Sequence, residues 1–423
     1  METQKLKNKQ IGQKRRETND RHRNMVCKVF DVKIQQNKLN KQQKECLSMY
    51  FVEAKWIYNY ILNLSQQEDF DVFSFNYKQH PIITRLSKDK QSEEKEIKYL
   101  PAQCYQELSR YLKFNIISLS KKKQKGCKVG KLKFKSNYNS IDLRQYNTSY
   151  KIINQNKIKI CGIKGNIKVN GLKQIPKNVE FANAKLVKKA DGYHIRITTY
   201  QQKQKTTDKK QYVGIDFGLK DLITTSEGKK YKKIFIEEPE RLKRLQRKIL
   251  RNPNKTSNNK YKLRQQLQKQ YQKLTNRKKD IANKIVADLL STYQTIYMQD
   301  ELIKLWHRRY GKQIQHSCLG LIKQKLKQSN RVVLIESSFP STKLCYNCGN
   351  KLNISLNQRT YTCPVCGLSE DRDIKAAKTI LLYGLNKIGV EHTELTPLES
   401  PSATHGIIYH EQLGSLNWEA TNL

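Results

Sequence analysis

The spacing of apolar residues changes several times along the chain, and each change marks a predicted element. VCKVFDVKI (26–34) predicts a strand. Over residues 41–120 the apolar spacing becomes three or four, which is typical of helices, and we predict a helical lobe there. Pro101 opens one of its helices. The apolar face of an earlier helix carries Cys46, Met49, Tyr50, Ala54, Ile57 and Ile61.

Short β-like runs follow the helical pattern over residues 131–200, separated by turn signals such as Asp191–Gly192. They predict a small β-barrel or sandwich, made of residues 26–40 and 121–208, into which the helical lobe is inserted. Residues 1–25 are polar and basic without periodicity, so we expect a disordered, mobile arm.

From residue 209 onward the pattern of apolar residues predicts strands and helices in alternation. YVGIDFG (212–218) predicts a buried strand, and two more strands turn at Glu227–Gly228. A basic helical region, a strand, a helix, a strand and an Ala-rich helix follow. This is the element order of a ribonuclease-H-like α/β domain, which we place at 209–340 and 371–390. The fold class is therefore α+β multidomain.

Two later segments of the chain have distinctive compositions. Residues 341–370 contain two Cys-x-x-Cys pairs and are predicted to form a ribbon inserted into the α/β domain. Residues 391–423 contain five glutamates, two prolines and no Lys or Arg, and we expect a disordered acidic tail.

The overall charge indicates a polyanionic partner. The 423 residues include 82 Lys or Arg against 37 Asp or Glu, a formal net charge of +45. Such an excess repels itself unless nucleic acid or an anionic membrane neutralises it. No long apolar stretch appears, and the basic N-terminus lacks an apolar signal-peptide core. We therefore expect a cytoplasmic protein that binds nucleic acid and that, in a prokaryote, is nucleoid-associated.

Lysine and arginine are concentrated in particular segments. Residues 241–279 contain fifteen of them and no acid, and 121–136 contain eight lysines and no acid. A solvated face is the ordinary explanation, whereas a groove for nucleic-acid phosphates is the functional one. Phe134, Tyr138 and Tyr146 either stack on bases or belong to the core. The candidate phosphate contacts are Lys121, Lys122, Lys123, Lys131, Lys133, Lys135, Arg244, Arg247, Lys248, Arg251, Arg308 and Arg309.

The paired cysteines have the spacing of a metal site, Cys-x2-Cys-x14-Cys-x2-Cys, and a glycine follows each pair. Four thiolates suit a closed tetrahedral Zn²⁺ site of structural type, and an iron–sulfur cluster is the alternative. The four predicted ligands are Cys345, Cys348, Cys363 and Cys366.

Three acids occupy the places where a ribonuclease-H-like domain carries its metal ligands: Asp216, Glu301 and Asp373. Asp300 is a rival of Glu301, and Asp371 is a rival of Asp373 as well as a plausible helix N-cap. Clustered carboxylates repel one another unless cations bind them. Two Mg²⁺ ions, or Mn²⁺, roughly 4 Å apart would activate water against a phosphodiester.

With these residues assembled, the chain resembles the TnpB (OrfB) family of insertion-sequence-encoded, RNA-guided nucleases, which is related to the compact type V CRISPR effectors. The resemblance is strong from residue 212 to 385 and weaker before it. The matching stretches are GIDFGLKDLITTSEG, YMQDELIKLWHRRYGKQIQHSCLGLIKQKLK, FPSTKLCYNCG and YTCPVCGLSEDRDIKAAKTIL.

The resemblance implies a wedge-like β-domain with a recognition lobe, and a RuvC-like nuclease domain with a zinc ribbon. It also implies a guide RNA, a double-stranded DNA target and a short target-adjacent motif. Two positions depart from the family pattern. Lys375 replaces an Asn, and direct alignment places Gln299, not Glu301, at the second acid. A guided repressor without cleavage and a DNA-binding transposase or accessory protein remain alternatives.

Overall fold

The computed structural model describes residues 2–67, 71–86, 91–202, 210–232, 239–254, 257–355 and 358–385. These residues belong to two compact units, of which the first includes Met1–Gln204 and the second Lys205–Gly406. The sequence analysis placed a boundary nearby, between residues 208 and 209. The predicted acidic tail, 391–423, lies outside the described residues.

The first unit combines one large sheet with three long helices. In chain order its elements are α1 (Glu2–Arg23), β1 (Met25–Ile34), α2 (Lys41–Leu64), β2 (Ile82–Leu86), β3 (Ser92–Glu96), α3 (Ala102–Gln124), β4 (Ser140–Leu143), β5 (Tyr150–Asn154), β6 (Lys157–Ile160), β7 (Ile167–Asn170), β8 (Glu180–Lys189) and β9 (Gly192–Gln202).

Seven strands form an antiparallel sheet in the order β4-β8-β9-β1-β7-β6-β5, which fits the expected barrel-like domain. Its apolar face packs on α2 and α3 in one continuous core. Helix α2 begins with a capping box, in which the Asn40 side chain accepts from the Gln43 backbone and the Gln43 side chain accepts from the Asn40 backbone. The predicted strand at 26–34 and the helix opened by Pro101 are both confirmed.

The N-terminal segment differs from its prediction. Glu2–Arg23 is helical, not an arm without regular structure. Tertiary contacts hold its end: Arg21 and His22 both bind the Glu180 carboxylate, and the His22 ring stacks on Tyr200 at 3.6 Å between centroids. Local periodicity could not reveal those contacts, because both partners lie more than 150 residues away in sequence.

Two further segments differ in secondary structure. The lobe predicted as helical contains the hairpin of β2 and β3, which Arg85 and Glu93 bridge across the strands at 2.8 Å. The run KLKFKS (131–136), at the start of the region predicted to contain β-like runs, has neither helix nor strand. Asn59 explains this, because its side chain pairs with both the N–H and the C=O of Lys135 and so takes the place of a neighbouring strand.

The second unit is an α/β domain with a ribbon. In chain order its described elements are β10 (Lys210–Phe217), β11 (Asp221–Thr225), β12 (Lys230–Lys232), α4 (Glu240–Arg251), α5 (Asn258–Thr292), β13 (Tyr293–Gln299), α6 (Ile303–His316), α7 (Leu319–Lys327), β14 (Val332–Ile335), β15 (Thr360–Thr362), β16 (Ser369–Asp371) and α8 (Arg372–Gly384).

The sheet of this domain has the order β12-β11-β10-β13-β14. Strands β10, β13 and β14 are parallel, whereas β11 and β12 add antiparallel strands at one edge. The predicted order of strands and helices is confirmed. Within it, α5 is one continuous helix of 35 residues, and β13 ends before Asp300.

Helix α8 lies directly on β10. A Cβ placed on Gly214 would be 2.1 Å from the Ala377 carbonyl oxygen and 2.8 Å from the Leu381 backbone nitrogen. Only glycine permits this approach, which sets the helix against the centre of the sheet. Among the described helices, none is long and apolar enough to cross a membrane.

Candidate functional site

Asp216 lies on the central strand of the second sheet, on the face that α8 covers. Gly214 and Asp216 share that face, since side chains alternate along a strand. The Asp216 side chain is 8% exposed. Burial raises the pKa of Asp216 well above its usual range, and the charges of Glu301 and Asp373 raise it further. The charges of the other two predicted acids thus act on Asp216, although the three residues come from three separate segments.

Helix α8 brings Asp373 to the cluster through its first turn. Asp371 is the N-cap and accepts hydrogen bonds from the backbone N–H groups of Asp373 (3.0 Å) and Ile374 (3.2 Å). Its other carboxylate oxygen binds Lys230 at 2.7 Å. Asp371 is thus occupied as a cap, which leaves Asp373 as the acid of this helix that faces Asp216.

Arginine side chains accompany Asp373. The guanidinium of Arg372 is 3.3 Å from its carboxylate, and that of Arg359 is 3.9 Å away. These cations partly offset the negative charge of the cluster. The sequence analysis did not identify either arginine as part of this site.

The turn after β13 separates Asp300 from Glu301. Asp300 forms ion pairs with Lys323 (2.6 Å) and Lys327 (2.7 Å). Glu301 instead lies near Asp216, and burial raises its pKa to about 7 while Lys323 opposes the rise. Asp300 is thus occupied by two lysines, whereas the charge of Glu301 acts on Asp216.

Gln299, the residue that direct alignment puts at the second acid, has a different place. Its side-chain amide donates to the carbonyl oxygens of Ser337 (3.0 Å) and Phe339 (2.7 Å) and accepts from the Ser341 hydroxyl (3.0 Å). All of its hydrogen-bonding groups thus bind the segment after β14. Gln299 is a buried clamp on that segment, apart from the acids.

The carboxylates are less tightly grouped than the thiols. Within the described ranges, the four cysteines are the one group of three or more His, Cys, Asp or Glu whose ligand atoms all lie within 4.8 Å of one another. Mutual repulsion keeps uncompensated carboxylates apart. Their donor oxygens are the kind that Mg²⁺ prefers, so the three acids suit that ion chemically.

The four cysteines have the spacing of a tetrahedral metal site. The Cys345 and Cys366 sulfurs are 3.7 Å apart, and those of Cys348 and Cys363 are 3.5 Å apart. Four sulfurs at about 2.3 Å from Zn²⁺ would be separated by about 3.8 Å. The residues present therefore fit a structural zinc ion.

The two knuckles repeat the same backbone geometry. Gly349 N–H donates to the Cys345 carbonyl at 2.9 Å, and Gly367 N–H donates to the Cys363 carbonyl at 3.0 Å. Both glycines have a left-handed φ, +74° and +72°, which side-chain-bearing residues rarely adopt. This explains why a glycine follows each pair in the sequence.

Most of the predicted phosphate contacts lie at the surface. Lys135 is the exception, because its ammonium is 4.1 Å from the Tyr58 ring centroid and 4.5 Å from that of Tyr138. It is half-buried in a ring of tyrosines. The exposed candidates are Lys121, Lys122 and Lys123 at the end of α3, Lys131 and Lys133 after it, Arg244, Arg247, Lys248 and Arg251 on and beside α4, and Arg308 and Arg309 on α6.

Two family models match adjacent parts of the chain. The OrfB model, described as a probable transposase, matches residues 194–304, and the TNB domain model of Cas12f1-like proteins matches residues 317–380. A TnpB-like protein of Acanthamoeba polyphaga mimivirus is 27% identical over 222 residues, which are 46% of this chain and 41% of the relative. Over residues 194–380 the chain is therefore similar to proteins of the TnpB (OrfB) family.

A second relative gives a similar match. A Streptomyces pristinaespiralis protein named "Putative RNA-guided DNA endonuclease" is 31% identical over 183 residues, 41% of this chain and 45% of that protein. The chain thus spans less than half of the length of the curated relatives it matches. A solved Cas12f1–sgRNA–target DNA complex matches 84% of this chain and 99% of its own at 13% identity, with a TM-score of 0.25, which carries no argument about function.

Proposed function

We propose that this protein is an RNA-guided DNA endonuclease encoded by a transposable element. The environment of Asp216 carries the proposal, because a buried carboxylate on which the charges of Glu301 and Asp373 also act is costly unless cations bind it. In this proposal the second unit is a RuvC-like nuclease domain, and the cluster hydrolyses DNA phosphodiesters next to a short target-adjacent motif. The name of the Streptomyces relative supports the same reaction.

In this proposal the three acids hold two divalent ions, Mg²⁺ or Mn²⁺. Bound there, the ions would activate a water molecule and stabilise the leaving oxygen of the phosphodiester. The protein itself orients the ligands: β10 presents Asp216, the Asp371 cap fixes the first turn of α8 with Asp373, and the Asp300 ion pairs hold the turn that carries Glu301.

The basic surfaces are the proposed nucleic-acid contacts. The exposed cations of α4 stand opposite its buried face, which is formed by Leu242 and Leu245. They suit the backbone of a guide–target heteroduplex, for which charge matters more than sequence. Lys121 and the lysines that follow it would bind phosphate in the same way. The zinc ribbon is structural in this proposal.

The decisive experiment begins with the protein expressed together with its flanking DNA. RNA that copurifies is sequenced to define a target, and the complex is incubated with Mg²⁺ and a plasmid that carries this target beside randomised bases. We expect cleavage that requires target, metal and Asp216, with Asp216→Asn as the inactive variant. Tight binding without cleavage would instead identify a guided repressor, and neither RNA nor target binding would overturn both.

A further inference from the structure

Lys375 is a buried lysine, whereas most lysines of a basic protein lie at the surface. Its side chain is 0% exposed. The ammonium donates to three carbonyl oxygens, those of Ser341 (3.0 Å), Thr342 (2.7 Å) and Leu344 (2.8 Å). An ammonium has three protons, so every one of them has a partner.

Those three carbonyls belong to the segment that leads into the first zinc knuckle at Cys345. The same ammonium also lies 4.0 Å from the ring centroid of Tyr361, which is buried on β15 two residues before Cys363. Lys375 therefore contacts the approach to both knuckles of the ribbon.

The backbone of Lys375 belongs to α8, the helix that carries Asp373. The residue follows Asp373 by two positions in the first turns of α8, and its backbone carbonyl accepts from the Thr379 hydroxyl at 2.8 Å. Ala377, two residues after Lys375, packs on Gly214 of β10. The charge of Lys375 also reaches Asp216, where it opposes the burial that raises the pKa of that carboxyl.

A second clamp holds the same segment from the opposite side. Ser341 binds Gln299 through its hydroxyl and Lys375 through its carbonyl. Gln299 and Lys375 therefore meet at one residue, Ser341. The segment 337–344 is thereby fastened to the end of β13 and to the start of α8.

We propose that Lys375 is a positioning residue that couples zinc binding in the ribbon to divalent-metal binding by Asp216, Glu301 and Asp373. A buried ammonium cannot leave its three carbonyls without a large desolvation cost, so the knuckle and the start of α8 must move together. Loss of zinc would loosen the knuckle and, through the retained Lys375 contacts, displace Asp373. The inference rests on the proposed assignment of the three acids as metal ligands.

The test compares Mn²⁺ affinity, measured by electron paramagnetic resonance, in zinc-loaded and zinc-depleted full-length protein. In the natural protein we expect zinc depletion to weaken Mn²⁺ binding about tenfold, the effect typical of a lost outer-shell contact. In Lys375→Met, zinc-loaded protein should already bind Mn²⁺ weakly, and zinc depletion should add little. Lys375→Arg, which keeps the charge and several donors, should restore part of the coupling. An unchanged zinc effect in Lys375→Met would overturn the proposal.

Hydrogen exchange in the natural protein provides a measurement that needs no variant. Zinc removal should increase the hydrogen exchange of the backbone amides of 341–344 and of the first turn of α8 together. If the amides of the first turn of α8 keep their protection, the coupling is also overturned. Failure of the proposed function has another signature. Mn²⁺ binding to the zinc-loaded protein would then be unchanged by Asp216→Asn. The hydrogen-exchange measurement would still test whether the first zinc knuckle and the start of α8 are coupled.

Discussion

Gly214 of β10 lies directly beneath Ala377 of α8, so close that a Cβ at Gly214 would be 2.1 Å from the Ala377 carbonyl oxygen. The contact explains how Asp216 and Asp373 meet. Asp216 follows Gly214 by two residues on one strand face, and Asp373 precedes Ala377 by four residues, about one turn, on one helix face. The sheet and helix can therefore bring the two acids together only while this contact is intact.

Gly214→Ala should destabilise the second unit by at least about 2 kcal/mol, because the added methyl must displace backbone atoms. Chemical denaturation measures the loss, and cleavage should fall with it. Gly320→Ala is the matched control: its Cβ would meet no atom within 4 Å on α7, and alanine favours a helix. Equal stability of the two variants would contradict the close packing of α8 on β10.

Glu301→Gln should abolish target cleavage and weaken Mn²⁺ binding, whereas Asp300→Asn, which loosens the turn but keeps the Glu301 carboxylate, should reduce both only modestly. Glu301 belongs to the acidic cluster, while Asp300 pairs with Lys323 and Lys327. Cleavage rates and metal titrations of the two neighbouring variants measure the difference. The reverse result would assign the second ligand to Asp300.

Stability without divalent metal should depend on pH through Glu301. Its pKa rises from 4.5 to about 7 on folding, so the folded state holds the proton more tightly. The free energy of unfolding should therefore fall as pH rises from about 4.5 to 7, by at most about 3 kcal/mol from this group. Denaturation in chelator across that range measures the slope, and Glu301→Gln should reduce it, while the raised pKa of Asp216 maintains a slope of the same sign. A slope unchanged by the substitution would exclude Glu301 as its source.

Gln299→Ala should cost about 3 kcal/mol, because it leaves the carbonyls of Ser337 and Phe339 without their donor. Gln299→Glu, which would restore the acid expected from direct alignment, should also destabilise, since a carboxylate cannot donate to those carbonyls. Gln324→Ala, at an exposed position of α7, is the control. Stability equal to the control in urea titrations would remove Gln299 as a clamp.

Zinc removal should unfold the ribbon before the rest of the second unit. The buried side chains around the cysteines are few, chiefly Tyr361 together with half-buried Leu352, Ile354 and Leu368, so the ribbon depends on its metal. Metal analysis should find one zinc per chain, and Cys363→Ser should abolish it. Retention of one zinc in that variant would place the metal elsewhere.

The sequence by itself determined what depends on local pattern. Alternation and helical spacing specify β1, β10 and α8, the spacing of the cysteine pairs specifies the metal site, and the glycines after them specify left-handed turns. The identity of the acids followed from their place in the order of elements. All of these signals lie within a few residues of one another, or in the succession of elements.

Only the tertiary structure decided which partner each polar side chain has. Asp300 and Glu301 are neighbours in sequence, and their separate roles depend on Lys323 and Lys327 of α7. From the sequence alone Lys375 would be taken for a surface lysine, whereas in the structure carbonyls of the segment 341–344 bind its ammonium. Helix α1 depends likewise on Glu180 and Tyr200. Such contacts join residues far apart in sequence, and their energies depend on burial and distance, which no local pattern records.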